Sequence, residues 1–286
     1  MFIQAMRRLT PAWTAVALLL CSGLAEAQGK RWAPLEPASD YGWRFGDLFW
    51  LITTLCTIAF TIVVILIAIP VLRDRAKPGK KASFDHGSSL HDKRLTAVIS
   101  VITFIVLDAW VLVIAMRDLR EAYWAVPEAE QPGVHRVQVL AQQWAWNFRH
   151  AGLDGEFGTP DDIIEMNQLT VPKDRPVSMQ LTSKDVIHSL FLPEMRMKRD
   201  TNPGAINETW FKPITAGEFT ILCAELCGYA HYQMHGKLHV LEDEAFNEWE
   251  AEASELGVIS NTSDQGEPVE DEEAQWAWDW QEYAKR

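Results

Sequence analysis

Two long apolar runs constrain this chain more than any other feature, because a backbone that enters a bilayer must satisfy its own N–H and C=O groups, which leaves the helix as the ordinary solution. Residues 48–72 carry no charged side chain, and an α-helix needs ~20 residues to cross the hydrocarbon core. Residues 95–116 form a second run, interrupted only by Asp108. A transmembrane helical hairpin over 48–116 follows. Its connecting segment carries Arg73, Arg75, Lys77, Lys80, Lys81, Lys93 and Arg94 against Asp74, Asp85 and Asp92, and such a basic excess marks the cytoplasmic side. Both ends of the hairpin then lie outside the cytoplasm, in a multi-pass topology. An acid within a span faces protein or water rather than lipid, so Asp108 points to packing against another subunit, with snorkelling to the interface as the alternative.

Ahead of the hairpin, residues 1–27 read as a secretory signal peptide. Arg7 and Arg8 precede an apolar stretch over 12–20, and Ala25-Glu26-Ala27 stands before Gln28. A lipoprotein cut at Cys21 is the alternative, disfavoured by the bulk of Leu20. Residues 28–47 are then an exported N-terminal segment.

After the second span the periodicity changes. Runs at 137–140, 144–148, 177–181, 209–212, 219–222 and 237–241 alternate apolar positions, and Pro172, Pro176, Pro193, Pro203, Pro213 and Gly217 punctuate them. These are strands of an antiparallel sandwich, placed in one exported domain over 117–254. Within it, residues 154–162 form a loop dense in Asp and Gly that reads as a solvated turn, with calcium binding as the alternative. Phe246 and Trp249 at helical spacing predict a short amphipathic helix over 243–254. Residues 255–286 form an acidic tail with Glu270-Asp271-Glu272-Glu273 followed by Trp276, Trp278 and Trp280, a composition suited to a flexible or partner-binding segment. The tail supplies much of the net charge of −13. That charge implies a basic partner rather than nucleic acid, with the alternative that it only keeps an exported domain soluble.

The chemistry is concentrated in Cys223-Ala224-Glu225-Leu226-Cys227-Gly228-Tyr229-Ala230-His231-Tyr232-Gln233-Met234. Two thiols, an imidazole and a thioether form a soft donor set that favours copper, whereas structural zinc sites use four Cys or His groups. A disulfide between the two cysteines is the competing reading. His235 and His239 follow the motif on a strand and read as structural or solvent-exposed.

The spacing Cys-x-Glu-x-Cys-Gly-x-x-His-x-x-Met resembles the binuclear copper (CuA) loop of cytochrome c oxidase subunit II. Asp185-Val186-Ile187-His188-Ser189-Leu190, Pro193 and Lys198-Arg199-Asp200-Thr201-Asn202-Pro203-Gly204 also stand in that family's order. The resemblance covers about 40–253. It implies a mainly β fold, a cupredoxin-like Greek-key barrel preceded by a two-helix transmembrane hairpin. It further implies that Cys223 and Cys227 bridge two coppers, that His188 and His231 cap the pair, and that Met234 is a weak axial ligand. Glu225 binds through its backbone carbonyl and turns its carboxylate to an Mg or Mn ion shared with subunit I.

Gln143-Trp144-Ala145-Trp146-Asn147-Phe148 is similar to the family's aromatic stretch, which implies Trp144 as the point where electrons from cytochrome c come in. Ala145 departs from the bulky aromatic common there. The implied function is one-electron transfer from cytochrome c through the copper pair to haem in subunit I, where O2 is reduced to water with proton translocation. The implied partners are subunit I, other oxidase subunits, cytochrome c and a bacterial-type inner membrane, with the copper domain on the periplasmic side. A membrane-tethered copper-binding or oxidase-assembly protein is the alternative. No Glu stands between Lys81 and Asp108, where the family often places a carboxylate near a proton path, with Asp92 and Asp108 as weak substitutes, and no Cys-x-x-Cys-His for a fused c-type haem is present.

Overall fold

In the computed structural model, residues 35–75, 78, 79, 81, 86–128 and 131–256 are described. The leader at 1–27 and residues 257–286 of the acidic tail lie outside them.

The first apolar run lies within α1 (Gly42–Arg73) and the second within α2 (Leu90–Trp124), both long and apolar enough to cross a membrane. Each helix outlasts its apolar run because polar side chains support its ends. Ser89 Oγ accepts from the Asp92 backbone N–H at 3.1 Å and so caps α2. At the opposite end Arg44 of α1 pairs with Glu121 of α2, and buried Asp118 lies 3.0 Å from Arg117 and 3.9 Å from Arg44. Helix α2 widens into π-helix over Phe104–Ala109 and Arg120–Trp124. Asp108 sits in the first of these, exposed, and lines a mainly apolar cleft with Cys56 and Ala59 of α1.

Among the described residues ten strands follow: β1 (His135–Gln142), β2 (Ala145–His150), β3 (Ile163–Met166), β4 (Gln168–Pro172), β5 (Val177–Ser183), β6 (His188–Leu192), β7 (Met197–Thr201), β8 (Asn207–Phe211), β9 (Gly217–Cys223) and β10 (His235–Leu241). They form two five-stranded sheets, ordered β3-β2-β1-β5-β8 and β4-β10-β9-β6-β7. Parallel pairs β1–β5 and β4–β10 accompany otherwise antiparallel neighbours, so the connections cross over as in a Greek key rather than a meander. Val137, Val139, Trp146, Phe148, Met179 and Leu181 from the first sheet share one core with Leu169, Leu190, Leu192, Ile221 and Leu238 from the second. This is the cupredoxin-like barrel, preceded by the two apolar helices.

The barrel is fastened to both outer helix ends. Ser39 Oγ donates to the Met195 carbonyl at 2.6 Å and Tyr41 Oη to that of Trp210 at 2.8 Å. From α2, Tyr123 Oη accepts from Arg199 Nη1 at 2.9 Å.

Three sequence expectations are corrected here. The sandwich is not wholly antiparallel, because crossover connections set β1 beside β5 and β4 beside β10 in parallel. The run placed at 144–148 begins as strand only at Ala145, and Gln143 and Trp144 form the turn between β1 and β2. Four strands, β3, β4, β6 and β7, had not been anticipated. β7 is a sheet edge with Lys198, Arg199 and Asp200 in succession, so it need not alternate.

The 154–162 loop spends its carboxylates on itself. Asp161 Oδ2 accepts from the backbone N–H of Leu153 and Asp154 at 2.8 and 3.2 Å, and Asp161 Oδ1 from Thr159 Oγ1 at 2.7 Å. Asp162 accepts from Gly158 N at 2.8 Å and pairs with Arg149. The arrangement is that of a turn.

Helix α3 (Asp243–Leu256) buries Phe246 fully and sets Trp249 edge-on to His150, with ring centroids 5.4 Å apart. Beneath it runs a buried polar relay. Glu165 accepts from the Thr170 backbone N–H at 2.8 Å and from Thr170 Oγ1 at 2.9 Å, and lies 3.1 Å from His150 Nε2. His150 Nδ1 is 2.8 Å from His135 Nε2, and His135 Nδ1 is 3.7 Å from Glu250. Burial, then His150 and Arg175, hold the His135 imidazole neutral, its pKa well below the usual value.

The unfolded chain protonates His135 below about pH 6.5, so the folded state loses stability as pH falls through that value, by at most about 1.4 kcal/mol per pH unit for one proton. Glu250 acts oppositely. Burial raises its carboxyl above the usual range, which adds stability at low pH that disappears as pH rises through the raised value. Melting temperatures taken from about pH 7.5 down to about 4.5 should therefore fall less in His135→Gln than in the parent, and more in Glu250→Gln. An unaltered profile in His135→Gln would remove this group from the acid response.

Candidate metal centre

Strand pairing builds the site before any metal is considered. β6 and β9 are antiparallel neighbours with Leu190 opposite Cys223, which sets His188, the first residue of β6, beside Cys223, the last of β9. Pairing of β9 with β10 resumes with Leu222 opposite His235, so residues 224–234 form a closed loop. The Cys223 backbone N–H donates to the Met234 carbonyl at 3.1 Å and ties its base. A 3-10 turn over His231–Gln233 then carries His231 and Met234 back toward the thiols.

The donor atoms converge. Cys223 Sγ and Cys227 Sγ stand 3.8 Å apart as free thiols, which sets aside the disulfide reading. His188 Nδ1 lies 4.0 Å from Cys223 Sγ and 3.1 Å from Met234 Sδ. His231 Nδ1 is 3.5 Å from Cys227 Sγ, and Met234 Sδ is 3.8 Å from that same sulfur. The Glu225 carbonyl oxygen is 3.3 Å from Cys223 Sγ. All six candidate ligands named from the sequence meet in one place. His188, Cys227 and Met234 are buried, while the Glu225 side chain is exposed.

Electrostatics show what this donor set lacks. Burial pushes the Cys223 thiol up, but hydrogen bonds from His188, the Ser189 and Glu225 backbone and His231 outweigh it and bring its pKa to about 6. Burial and then the neighbouring Cys223 charge push Cys227 up. Burial lowers the His188 pKa, yet Cys223 and Asp185 more than reverse this, so the ring is held above its usual value. These shifts mark a place where positive charge is favoured beside the thiols. A soft cation supplies that positive charge directly.

The geometry agrees with this chemistry. The two sulfurs, 3.8 Å apart, are close enough that both could hold one soft cation between them. Asp185 Oδ1 lies 2.9 Å from His188 Nε2, a carboxylate contact that orients the ring and leaves its Nδ1 facing Cys223 Sγ and Met234 Sδ.

Trp144 reaches the site from the other sheet. Its indole Nε1 donates to the Cys227 carbonyl at 3.2 Å and its side chain stays 37% exposed, whereas Trp146 and Phe148 are fully buried core. His235 is exposed and His239 faces Glu218 at 4.0 Å, away from the cluster. The sequence reading did not single out Asp185 or Gln143. Asp185 precedes His188 by three residues, a signal that was available, but the contact of Gln143 with Cys227 depends on the packing of one sheet against the other.

The family pattern described as cytochrome c oxidase subunit II, periplasmic domain, matches residues 136–240. The alternative cytochrome c oxidase subunit 2 of Bradyrhizobium diazoefficiens is 31% identical over 243 residues, which span 76% of this chain and 82% of that protein. The probable cytochrome c oxidase subunit 2 of Rickettsia bellii is 26% identical over 244 residues, or 80% of this chain and 86% of that one. Among solved structures, the periplasmic domain of subunit II of cytochrome oxidase of Bradyrhizobium japonicum aligns with 46% of this chain and 99% of its own length, at 28% identity and a TM-score of 0.40. On sequence relationship, then, the chain belongs to the cytochrome c oxidase subunit II family.

Proposed function

We propose that this chain is the electron-accepting subunit of a cytochrome c oxidase. It takes single electrons from cytochrome c outside the cytoplasm and delivers them to haem in subunit I, where O2 is reduced to water with proton translocation. The observation that carries this reading is the convergence of two free thiols, two imidazoles and a thioether at one end of the barrel. Cys223 and Cys227 would bridge a binuclear copper centre, His188 and His231 would cap it, and Met234 and the Glu225 carbonyl would complete it. When bound, such a pair supplies a one-electron store shared between two metals.

The chain's own residues set the conditions of that store. Buried Cys227 and Met234 keep water from the sulfur side. The Asp185 carboxylate fixes the His188 ring, and the barrel holds both cysteine sulfurs in place whichever charge the centre carries. The exposed Glu225 carboxylate is free to meet an Mg or Mn ion at a boundary with subunit I, hard oxygen being the donor such ions take.

Apolar side chains rim the site. Leu226, Tyr229, Tyr232 and Ile187 are each about half exposed or more, and a rim of this kind marks an interaction surface. The two apolar helices fit a membrane protein with an extracytoplasmic domain. We extend this to a multi-pass inner-membrane subunit of a bacterial type, whose hairpin packs through the Asp108 cleft against neighbouring oxidase subunits. A tethered copper carrier would have no need of an exposed indole fixed on the metal loop.

Metal analysis and EPR of the copper-loaded chain test the assignment. Two coppers per chain and a hyperfine pattern from one electron shared by two nuclei are expected. A stoichiometry of one, or the pattern of a single copper, would sink the binuclear reading.

A further inference from the structure

Two side-chain donors from consecutive residues meet on one backbone oxygen at the edge of the metal loop. Gln143 Nε2 donates to the Cys227 carbonyl at 2.7 Å, and Trp144 Nε1 donates to the same oxygen at 3.2 Å. Only glycine at 228 allows the approach. Its φ is +118°, and a Cβ there would stand 2.8 Å from Gln143 Nε2 and 3.3 Å from the Trp144 ring. The shorter bond of the two belongs to Gln143.

Gln143 is also fixed from behind. Its backbone N–H donates to Asp185 Oδ2 at 2.7 Å, while Asp185 Oδ1 lies 2.9 Å from His188 Nε2. One residue of the β1–β2 turn is thus bonded to both segments that carry the metal donors, the start of β6 and the β9–β10 loop. Without it, the indole would hang on the loop by its single longer hydrogen bond. A half-exposed ring on one such bond can rock outward, and water can take its place on the carbonyl. Electron tunnelling falls steeply with every added gap, so a small displacement of this ring has a large effect.

We infer that Gln143 is a positioning residue for electron uptake: its amide, bonded to the Cys227 carbonyl, holds the Trp144 indole against the Cys227–Gly228 peptide and so couples an external one-electron donor to the metal centre. The inference rests on the function proposed above and adds a residue to it. Gln143 touches neither the donor nor the metals in this role. It acts through Trp144 and the peptide.

The test uses the assembled, copper-loaded oxidase carrying Gln143→Glu or Gln143→Leu. Glu keeps the shape but, when ionised, offers only acceptors to a carbonyl, and Leu keeps similar bulk with no donor. Reduction of the copper centre is followed by rapid mixing with ferrocytochrome c and, separately, with dithionite, a small reductant that does not require the indole. In both variants the copper content, EPR signal and dithionite rate should match the parent. The cytochrome c step at saturating donor should slow by about tenfold or more, with the half-saturating concentration unchanged.

An unchanged cytochrome c step in both variants would overturn the inference. So would equal slowing with both reductants or an altered EPR signal, because Gln143 would then be maintaining the metal loop rather than Trp144. Failure of the underlying reading shows itself elsewhere, as a parent protein that lacks the copper pair or is not reduced by cytochrome c.

Discussion

Cys223→Ser and Cys227→Ser should each leave the chain unable to hold two coppers, with the metal count falling to one or none and the shared-electron EPR signal lost. The reason is geometric. Two sulfurs 3.8 Å apart would, in the proposed centre, each contact both metals, so removing either would remove half the bonds that join the pair. A serine hydroxyl does not substitute, since it is a hard donor that stays protonated near neutrality, while the site depends on soft, readily ionised sulfur. Cys223 already has its thiol brought to about 6 by its surroundings. The fold should survive, because the loop's base is held by backbone bonds such as Cys223 N–H to the Met234 carbonyl and the core lies below it. Replacing a largely buried thiol with a hydroxyl costs on the order of 1 kcal/mol. Metal analysis beside a melting curve separates the two effects, and retention of two coppers by either variant would refute bridging.

How legible this site was depended on sequence distance. The loop from Cys223 to Met234 is a local feature, and its donor types alone pointed to copper. His188 lies 35 residues before Cys223, and only the family resemblance joined them; pairing of β6 with β9 is what brings them together. Gln143, in the β1–β2 turn, and Asp185, between β5 and β6, lie 42 residues apart, and no periodicity encodes their bond. The buried relay was equally hidden. His135, His150 and Glu165 fall on adjacent strands, each separated by 15 residues, and look like unrelated polar residues until the register aligns them.

Strands were legible where one face is buried and alternation is enforced, as in β10, where Leu238 and Val240 are buried and Lys237 and His239 are not. The pattern disappeared where charges occupy an edge, as in β7. It also misled at one point. Trp144, Trp146 and Phe148 share a period of two, which suggested a single strand from 144. Trp146 and Phe148 follow that period into the core, but Trp144 sits in the turn, released from the sheet to face the metal loop.

That release is why Trp144→Phe should separate electron transfer from stability. The indole is 37% exposed, and its Nε1 donates to the Cys227 carbonyl at 3.2 Å, an oxygen that Gln143 also serves at 2.7 Å. Phe retains an aromatic ring but loses that N–H. Since the carbonyl keeps its shorter bond, the stability cost should stay near the low end of about 0.5–1.5 kcal/mol for one hydrogen bond. The copper content and EPR signal should be those of the parent, because no metal donor has changed. In the function proposed above, where electrons enter through the indole, the path would in contrast lose its bonded link from ring to peptide. Rapid-mixing reduction by cytochrome c should slow by roughly two orders of magnitude, equivalent to about 2.7 kcal/mol in the barrier. Donor affinity should remain close to the original, since most of the exposed ring surface is preserved. Trp146→Phe supplies the contrasting case: that ring is fully buried and 6.1 Å from the His188 ring, so its replacement should lower the melting temperature, with a cavity cost of about 1–3 kcal/mol. If Trp144→Phe instead lowers stability as Trp146→Phe does while cytochrome c reduces the copper at the parent's rate, Trp144 is a packing residue and electrons reach the centre by another route.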